Sequence, residues 1–288
     1  MIAVISTLPD AAPDVRGRSV AAGAGSLRIS RGQAGSVVST AFAASPLRLL
    51  TPRNHSTAAW IYTSTFGGGL VDGDAVRLRI DVDAGAAAFI SSQASTKVYR
   101  SVSGHAAAHV DAAVGGGALL IVAPDPTVCF SRSRYEQTQQ FAVDGTGSLV
   151  LVDWFTSGRH GSGERWAFEK YSSRTAIHRD GRLAWYDAVL LDPIDGPISA
   201  RMGRCNVLAT IAALGARVDA HATRTLDRMS DAPLRRRDHV VVAGSAIAGG
   251  GCVIRIAGAS VEDVGREIRR CLAFAPDLLG DDPWARRW

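Results

Sequence analysis

Short segments with strand periodicity, separated by glycine-rich turns, recur along most of this sequence and constrain its fold more than any other feature. The clearest is residues 75–82, in which apolar and charged residues alternate. The apolar set is Val76, Leu78, Ile80 and Val82. A period of two places these side chains on one face of an extended chain, which is typical of a half-buried β-strand.

Further strands are predicted beside turn signals. Asp83-Ala84-Gly85 precedes a segment of small residues at 86–92, and the glycines at 115–117 precede an apolar segment at 118–122. Residues 148–155 form another apolar segment. The pair Asp180-Gly181 predicts a β-hairpin, because a type I′ turn needs positive φ angles at both of its central positions.

The strand predicted after this hairpin turn carries a carboxylate on an otherwise apolar face. That face consists of Leu183, Trp185, Asp187, Val189 and Leu191. A carboxylate among such neighbours needs water or a partner. Two interpretations of Asp187 stay open: a functional carboxylate, or a residue at a water-lined rim.

Helical periodicity is confined to the C-terminal third. Apolar residues recur every three or four positions over 202–214 and are followed by Gly215, which predicts a helix. A second helix is predicted over 261–274, with Ser260 and Asp263 as a capping box and Pro276 as its terminator. Strands are predicted at 240–242 and 252–256.

The order of these elements, many strands and then two helices, indicates a mainly β, α+β fold. The sequence has no repeat of fixed period and no evident linker. We therefore expect a flexible N-terminal tail at residues 1–24 and a single domain at residues 25–288.

Composition argues against several classes of protein. With 47% hydrophobic and 20% charged residues, the chain is not expected to be disordered. It has neither a run of about 20 apolar residues nor the basic and apolar regions of a signal peptide, so we expect a cytoplasmic protein without a membrane anchor. The net charge is +5, but the arginine runs at 235–237 and 286–287 lack interleaved aromatic residues, so nucleic-acid binding is not expected.

The familiar nucleotide and metal motifs are incomplete. The glycine-rich stretch at 67–74 lacks the Gly-Lys-Ser/Thr of a P-loop. The four cysteines form no C-x-x-C pair and are expected to be buried free thiols. His105 and His109 would lie about 13 Å apart on a strand, too far for one ion. We therefore predict neither a tight metal site nor a tightly bound cofactor.

What remains is a set of polar residues without a standard catalytic spacing, inside glycine-rich and β segments. They lie at 72–74, 91–100, 153 and 158–164. Asp153 interrupts an apolar strand, where a charge is costly unless it is hydrated or paired. Carboxylates in such places, without an evident nucleophile, favour binding or conduction of a cation over covalent chemistry.

Four blocks resemble, in the same order, the UreD family of urease accessory proteins, called UreH in some lineages. They read GGGLVDGD at 67–74, SQASTKVYR at 92–100, PDPTVCF at 124–130 and GRHGSGE at 158–164. The sequence departs from the family at Asp72, where a glycine is usual, and at Ser91-Ser92, where two threonines are usual. It also departs at Pro124-Asp125-Pro126, where Pro-Gln-Glu or Pro-Gln-Asp is usual.

The resemblance implies a non-catalytic scaffold with a large solenoid-like β body and a small helical C-terminal part. It implies a hetero-oligomer with apo-urease and with UreF, which recruits the nickel-carrying GTPase UreG. Nickel would be held only in transit, through a water-filled passage. The residues here that match its lining are Asp74, Thr96, Asp153 and Asp187.

The other residues of the strongest motifs are expected to be structural or supporting: Lys97, Tyr99, Arg100, Arg159 and Glu164. The predicted helix over 201–214 is the expected contact for UreF. Two alternatives stay open. One is a hydrolase acting on glycans with two of these carboxylates as acid and base. The other is a purely structural interaction domain, in which the glycine-rich blocks are tight turns.

Overall fold

A computed structural model of the chain describes residues 21–52, 56–231 and 239–285. The predicted N-terminal tail lies outside the described residues except for its last four, and the arginine runs at 235–237 and 286–287 lie outside them entirely. The strands are β1 (Ala24–Arg31), β2 (Ser36–Ala43), β3 (Leu47–Leu50), β4 (Ala59–Thr65), β5 (Ala75–Val82), β6 (Ala87–Ser92), β7 (Thr96–Val98), β8 (Ala106–Val114), β9 (Leu119–Val122), β10 (Thr127–Cys129), β11 (Arg134–Val143), β12 (Ser148–Thr156), β13 (Lys170–Arg179), β14 (Arg182–Leu191), β15 (Val207–Gly215), β16 (Val240–Ala246) and β17 (Cys252–Gly258). The α-helices are α1 (Ile198–Met202), α2 (Asp219–Ser230), α3 (Val261–Cys271) and α4 (Ala275–Leu279), and short 3₁₀ turns lie at Phe66–Gly68, His160–Ser162 and Pro193–Asp195.

The strands form two facing sheets, between which the chain alternates. The first sheet has the order β14-β13-β11-β8-β5-β1-β2, and the second has the order β16-β17-β15-β12-β9-β6-β4-β3, with β7 and β10 attached to its side. From β5 to β13 each turn of the solenoid, called a coil below, adds one parallel strand to each sheet. Antiparallel strands complete both ends of the two sheets. This arrangement confirms the predicted solenoid-like β body.

Glycine turns make the step from the first sheet to the second. Gly85 and Gly117 have φ angles of 69° and 65°, in the left-handed region where a side chain is strained. Neighbouring turns also bond to one another: Gly85 N donates to Gly116 O at 2.9 Å, and Gly117 N donates to the Thr146 hydroxyl at 3.0 Å. The turns therefore fix the height at which each successive coil stacks.

Three layers result from this topology. The helices α2, α3 and α4 pack on the outer face of the second sheet, around buried residues such as Trp60, Phe89 and Ile254. The inner face of the second sheet packs on the first sheet. Because the second sheet is covered on both sides, its central strands are apolar on both faces.

Most strand predictions are confirmed, among them residues 75–82, which form β5. The hairpin between β13 and β14 is also confirmed, with positive φ angles at Asp180 and Gly181. The prediction that Leu183 shares the inner face of β14 is wrong. His178 pairs with Leu183 whereas Ile177 pairs with Trp185, and this bulge turns Leu183 outward, leaving it 58% exposed.

The predicted helix over 202–214 is wrong. Only Ile198–Met202 is helical there, and Val207–Gly215 forms strand β15 between β12 and β17. Ile211 faces the helices and Ala212 faces the first sheet, and both are buried. Because a doubly covered strand is apolar at every position, apolar residues also recur at spacings of three and four without any helix. The UreF contact expected on this helix loses its structural basis.

The second predicted helix exists, with a different end. The Ser260 hydroxyl accepts a hydrogen bond from Asp263 N at 3.1 Å, as its capping role predicts, and Val264 and Ile268 are buried. The helix α3 ends at Cys271, before the predicted residue 274. Pro276 does not terminate it but lies in the first turn of α4, where a missing N–H costs no hydrogen bond.

The four thiols are free, as predicted, and all except the half-buried Cys205 are buried. No helix in the described part of the chain has the length and apolar character needed to cross a membrane.

Candidate functional site

A polar layer divides the apolar core between the two sheets. On one side of it lies an apolar cluster that includes Phe141, Leu151 and Ile177, and on the other side a second cluster that includes Phe155 and Tyr171. The inward-facing positions between the two clusters carry polar side chains. We call this set the polar layer; it consists of Gln137, Gln139, Asp153, Ser173, Thr175, Asp187, Thr210 and Arg255.

Strand register brings these residues to one height. In the second sheet, Asp153 on β12 pairs with Thr210 on β15, which pairs with Arg255 on β17. In the first sheet, Thr175 on β13 pairs with Gln139 on β11 and with Asp187 on β14. The polar layer therefore runs across the strands, from the middle of the sandwich to β17 and to β14, which is the edge strand of the first sheet.

A cavity of about 190 Å³ adjoins the inner end of this layer. Asp153, Gln137 and Gln139 of the polar layer line it, together with Thr96 on β7 and Asp125. Its remaining polar lining comes from Thr63, Ser64, Thr65, Ser91, Ser92, Ser95, His109, Thr127 and Tyr135. A space of this size has room for several water molecules, and it has polar partners for them.

Hydrogen bonds fix the Asp153 carboxylate at the cavity wall. Its Oδ2 atom accepts bonds from the Gln137 amide and from the Ser173 hydroxyl, both at 3.0 Å. The Gln137 amide also donates to the Ser173 hydroxyl at 3.1 Å, and its carbonyl oxygen accepts from the Tyr135 hydroxyl at 3.1 Å. One carboxylate oxygen is therefore held by neutral donors of the chain.

Burial raises the pKa of Asp153, and the negative charge of Asp187 raises it further. The hydrogen bonds from Gln137 and Ser173 oppose this rise, because they stabilise the ionised form. Part of the Asp153 surface is accessible, but that surface faces the cavity. A cation in the cavity would reverse the shift, because it stabilises the charged carboxylate.

The outer end of the polar layer is closed by an ion pair. The Arg255 guanidinium donates to both oxygens of Asp187, at 2.6 and 3.3 Å, and to the Thr210 hydroxyl at 3.5 Å. The side chain of Asp187 is 15% exposed and that of Arg255 is 54% exposed. The carboxylate at this edge thus has a cationic partner.

The four residues that match the lining of the family's passage do not lie together in the structure. Thr96 and Asp153 line the cavity, and Asp187 lies at the other end of the polar layer. Asp74 lies in the turn before β5, where its carboxylate accepts a bond from Val71 N at 2.8 Å, and it is not among the described residues that line the cavity.

Three of the supporting motif residues form one cluster, and none of them is among the described residues that line the cavity. Glu164 accepts bonds from Arg159 Nε and from Ser131 N, both at 3.1 Å, and this contact with Arg159 holds the pKa of Glu164 below its usual range. The Arg159 guanidinium lies 4.5 Å from the ring centre of Phe130, which packs edge-on against Tyr99 at 5.2 Å. The cluster joins three segments that the motifs place far apart in sequence.

The glycine-rich motif fits against the same segment. A Cβ atom on Gly69 would lie 2.6 Å from both Lys97 O and the Tyr99 ring, so only glycine fits there. Lys97 and Arg100 are exposed on this segment. These contacts give Gly69 and Tyr99 a structural role.

Oxygen atoms dominate the donor set of this site. Within the three described ranges, no group of three or more His, Cys, Asp or Glu side chains comes together in a way that could hold a metal ion. The polar layer and the cavity offer separated carboxylates, amides and hydroxyls. Such donors suit a hydrated dication that binds weakly and leaves again.

Most residues of the polar layer were not predicted from the sequence, although a signal for part of it was present. In β11 the inward residues are Tyr135, Gln137, Gln139, Phe141 and Val143, so two amides share a face with apolar residues. Thr210 was hidden by the helix wrongly predicted over it. A signal for Arg255 was also present, because it is a charge between two isoleucines of a predicted strand.

Comparisons with known proteins agree with the fold and the motifs. The sequence model of the family described as "UreD urease accessory protein" matches residues 21–288. The "Urease accessory protein UreD" of Sorangium cellulosum is 48% identical over 273 residues, which cover 94% of this chain and 86% of that protein. The protein of the same name from an Anaeromyxobacter species is 42% identical over 92% of this chain and 89% of its own length. The "Urease accessory protein D" of Arabidopsis thaliana is 34% identical over 87% of this chain and 95% of its own.

Proposed function

Because this chain belongs to the UreD family of urease accessory proteins, we propose that it is a non-catalytic scaffold through which nickel passes into apo-urease. The observation that carries this proposal is the polar layer, which joins the cavity between the two sheets to the edge of the sandwich. An ordinary β-sandwich core is apolar at these inward positions. The relatives are named accessory proteins, which supports a role without catalysis of its own.

The chemistry of the site suits a transit path better than a binding site. Nickel held by several imidazoles or thiolates would leave slowly, whereas spaced carboxylates compensate the charge of an ion that keeps its water molecules. Asp153 supplies such a charge at the cavity wall. The strong ligands then belong to the proteins at the two ends of the path.

The partners in this proposal are UreF, the nickel-carrying GTPase UreG bound through UreF, and apo-urease, assembled with this chain in the cytoplasm. The protein would bind nickel only while the ion passes. The outward-facing side chains Leu183, Tyr186, Leu190 and Ile194 are each more than half exposed and give the β14 edge apolar surface for such contacts.

The test is urease activation by the Asp153→Asn variant. The variant is co-expressed with UreF, UreG and apo-urease, and the nickel content and activity of the purified urease are measured. We expect the complex to assemble and the nickel content to fall severalfold, because the charge at the cavity wall is lost. The matched control is Asp111→Asn, which removes an exposed carboxylate from β8 and should leave activation unchanged.

Full nickel loading with Asp153→Asn would contradict a passage that depends on this carboxylate. Failure of this variant to bind UreF would show instead that Asp153 supports assembly. If every variant of the polar layer supported normal activation, the chain would be an interaction scaffold that conducts no metal.

A further inference from the structure

The two ends of the polar layer differ in one respect. The inner end opens into a cavity of about 190 Å³, whereas the outer end is filled by the guanidinium of Arg255. Arg255 lies on β17 and Asp187 lies on β14, so their contact joins the second sheet to the first. Any ion that follows the polar layer to this edge meets a resident positive charge.

The geometry of this contact is that of a closure that can open. The two hydrogen bonds to Asp187 are bidentate, which fixes the guanidinium in the plane of the carboxylate. The Arg255 side chain is nevertheless 54% exposed, so its guanidinium lies next to solvent into which it can move. Asp187 is only 15% exposed. When Arg255 leaves, this largely buried carboxylate is left without a charge partner, which is costly.

A second cation is the natural replacement for that partner. Thr175 pairs with Asp187 and shares a face of β13 with Ser173, which bonds to Asp153. Thr210 lies between Asp153 and Arg255 in the strand register. Departure of Arg255 therefore leaves the Asp187 carboxylate and the Thr210 hydroxyl, which both accept from the same guanidinium nitrogen, with Asp153 further along the polar layer. Such oxygen atoms suit a hydrated dication.

We propose that Arg255 is the gate of the passage: it occupies Asp187 in the resting protein, yields that carboxylate to a passing divalent cation, and returns to it as the ion leaves. This inference rests on the proposed function, since it names the residue that regulates the same path. The return of Arg255 to Asp187 explains why the ion is released, because the guanidinium competes with the ion for one carboxylate.

The test is binding of Ni²⁺ to the full-length purified chain, measured by equilibrium dialysis at fixed pH and ionic strength. Arg255→Gln removes the competing charge but keeps a hydrogen-bond donor. We expect its nickel affinity to rise about tenfold or more, because a unit charge at this distance from a shielded carboxylate is a strong competitor. The rise should disappear when Asp187→Asn is added to Arg255→Gln.

The matched control is Arg79→Gln. Arg79 forms an ion pair with Asp81 at 3.1 Å on the outward-facing positions of β5, and it is 68% exposed. This variant has the same change of net charge as Arg255→Gln, so it should bind nickel as the unchanged protein does. An equal rise in both variants would show a general charge effect and would overturn the gate.

A variant that keeps the charge covers the case in which Arg255→Gln does not fold. Arg255→Lys retains a cation but cannot make the bidentate contact, so we expect a smaller rise in nickel affinity. Unchanged affinity in every folded Arg255 variant would refute the proposal. The nickel-binding measurement uses the purified chain without urease, so it is independent of the activation assay. Unchanged affinity in the Arg255 variants, together with urease activation that depends on Asp153, would refute the gate and retain the passage. Activation that is independent of Asp153 would refute the passage itself.

Discussion

Replacing Asp153 with asparagine should stabilise the protein at neutral and alkaline pH, although it impairs the proposed function. The carboxylate lies at the wall of the cavity between the two sheets and is compensated by two neutral donors, Gln137 and Ser173. An asparagine side chain has nearly the same shape, and its carbonyl oxygen can accept both bonds. The substitution therefore removes the charge and keeps the hydrogen bonds.

The magnitude follows from these contacts. Burying a carboxylate costs several kcal/mol, and a hydrogen bond to a charged group returns about 1.5–3 kcal/mol. With two such bonds to Asp153, the part left uncompensated is about 1–3 kcal/mol. We expect the free energy of unfolding of Asp153→Asn to exceed that of the unchanged protein by about this amount at pH 8.

The difference should depend on pH in a defined direction. Because the pKa of Asp153 is raised in the folded protein, the unfolded chain loses this proton first as the pH increases. The unchanged protein therefore loses stability relative to the variant from about pH 4, the usual value for aspartate, up to the raised pKa. Below that window the carboxyl group is neutral in both states, and the two proteins should be equally stable.

Urea denaturation followed by tryptophan fluorescence, at several pH values between 4 and 8, measures this difference. Asp111→Asn provides the control, since its exposed carboxylate carries no burial cost. A variant that is less stable at pH 8, or a stability difference that does not change with pH, would show that burial of the charge on Asp153 does not destabilise the folded protein. A confirmed gain would show that the chain keeps Asp153 at the expense of stability.

Three further substitutions test the packing around the motifs. Gly69→Ala should lower the free energy of unfolding by about 1–3 kcal/mol, because its methyl group would lie 2.6 Å from the Tyr99 ring, whereas Gly161→Ala, with open space around it, should have little effect; urea denaturation distinguishes them. Glu164→Gln should destabilise by about 1 kcal/mol at pH 7, and the loss should vanish as the pH falls through the lowered pKa of this group, as thermal melts in a pH series would show. Ser260→Ala should lower the free energy of unfolding by about 1 kcal/mol through the lost cap of α3. Ser260→Thr keeps a capping hydroxyl and should retain most of the stability in the same denaturation assay.

Local backbone geometry was predictable from the sequence. The alternation in residues 75–82 and the Asp180-Gly181 turn both specify a backbone conformation with a direct chemical cause, and both are present. The apolar segment 202–214 was wrongly predicted as a helix, because burial on both faces of β15 removes the alternation that marks a strand. Its place between β12 and β17 depends on contacts distant in sequence.

The candidate site was predictable only in part for the same reason. Asp153 and Asp187 stood out because each is a charge among apolar neighbours on its own strand. Thr210 and Arg255 join them only through the pairing of three strands, which no local pattern encodes. The cavity next to Asp153 arises from two sheets that face one another, so its size could not be inferred from any single segment.

The stacked coils determine which insertions among relatives would preserve the polar layer. Each strand contributes to the polar layer through its distance, in residues, from a turn. An insertion within β11 or β13 would shift the following residues by one and exchange the inner and outer faces, so amides and hydroxyls would leave the interior. An insertion in a turn leaves that count intact. Length variation among relatives should therefore concentrate in the turns, and the polar layer is preserved as a count of positions along each strand.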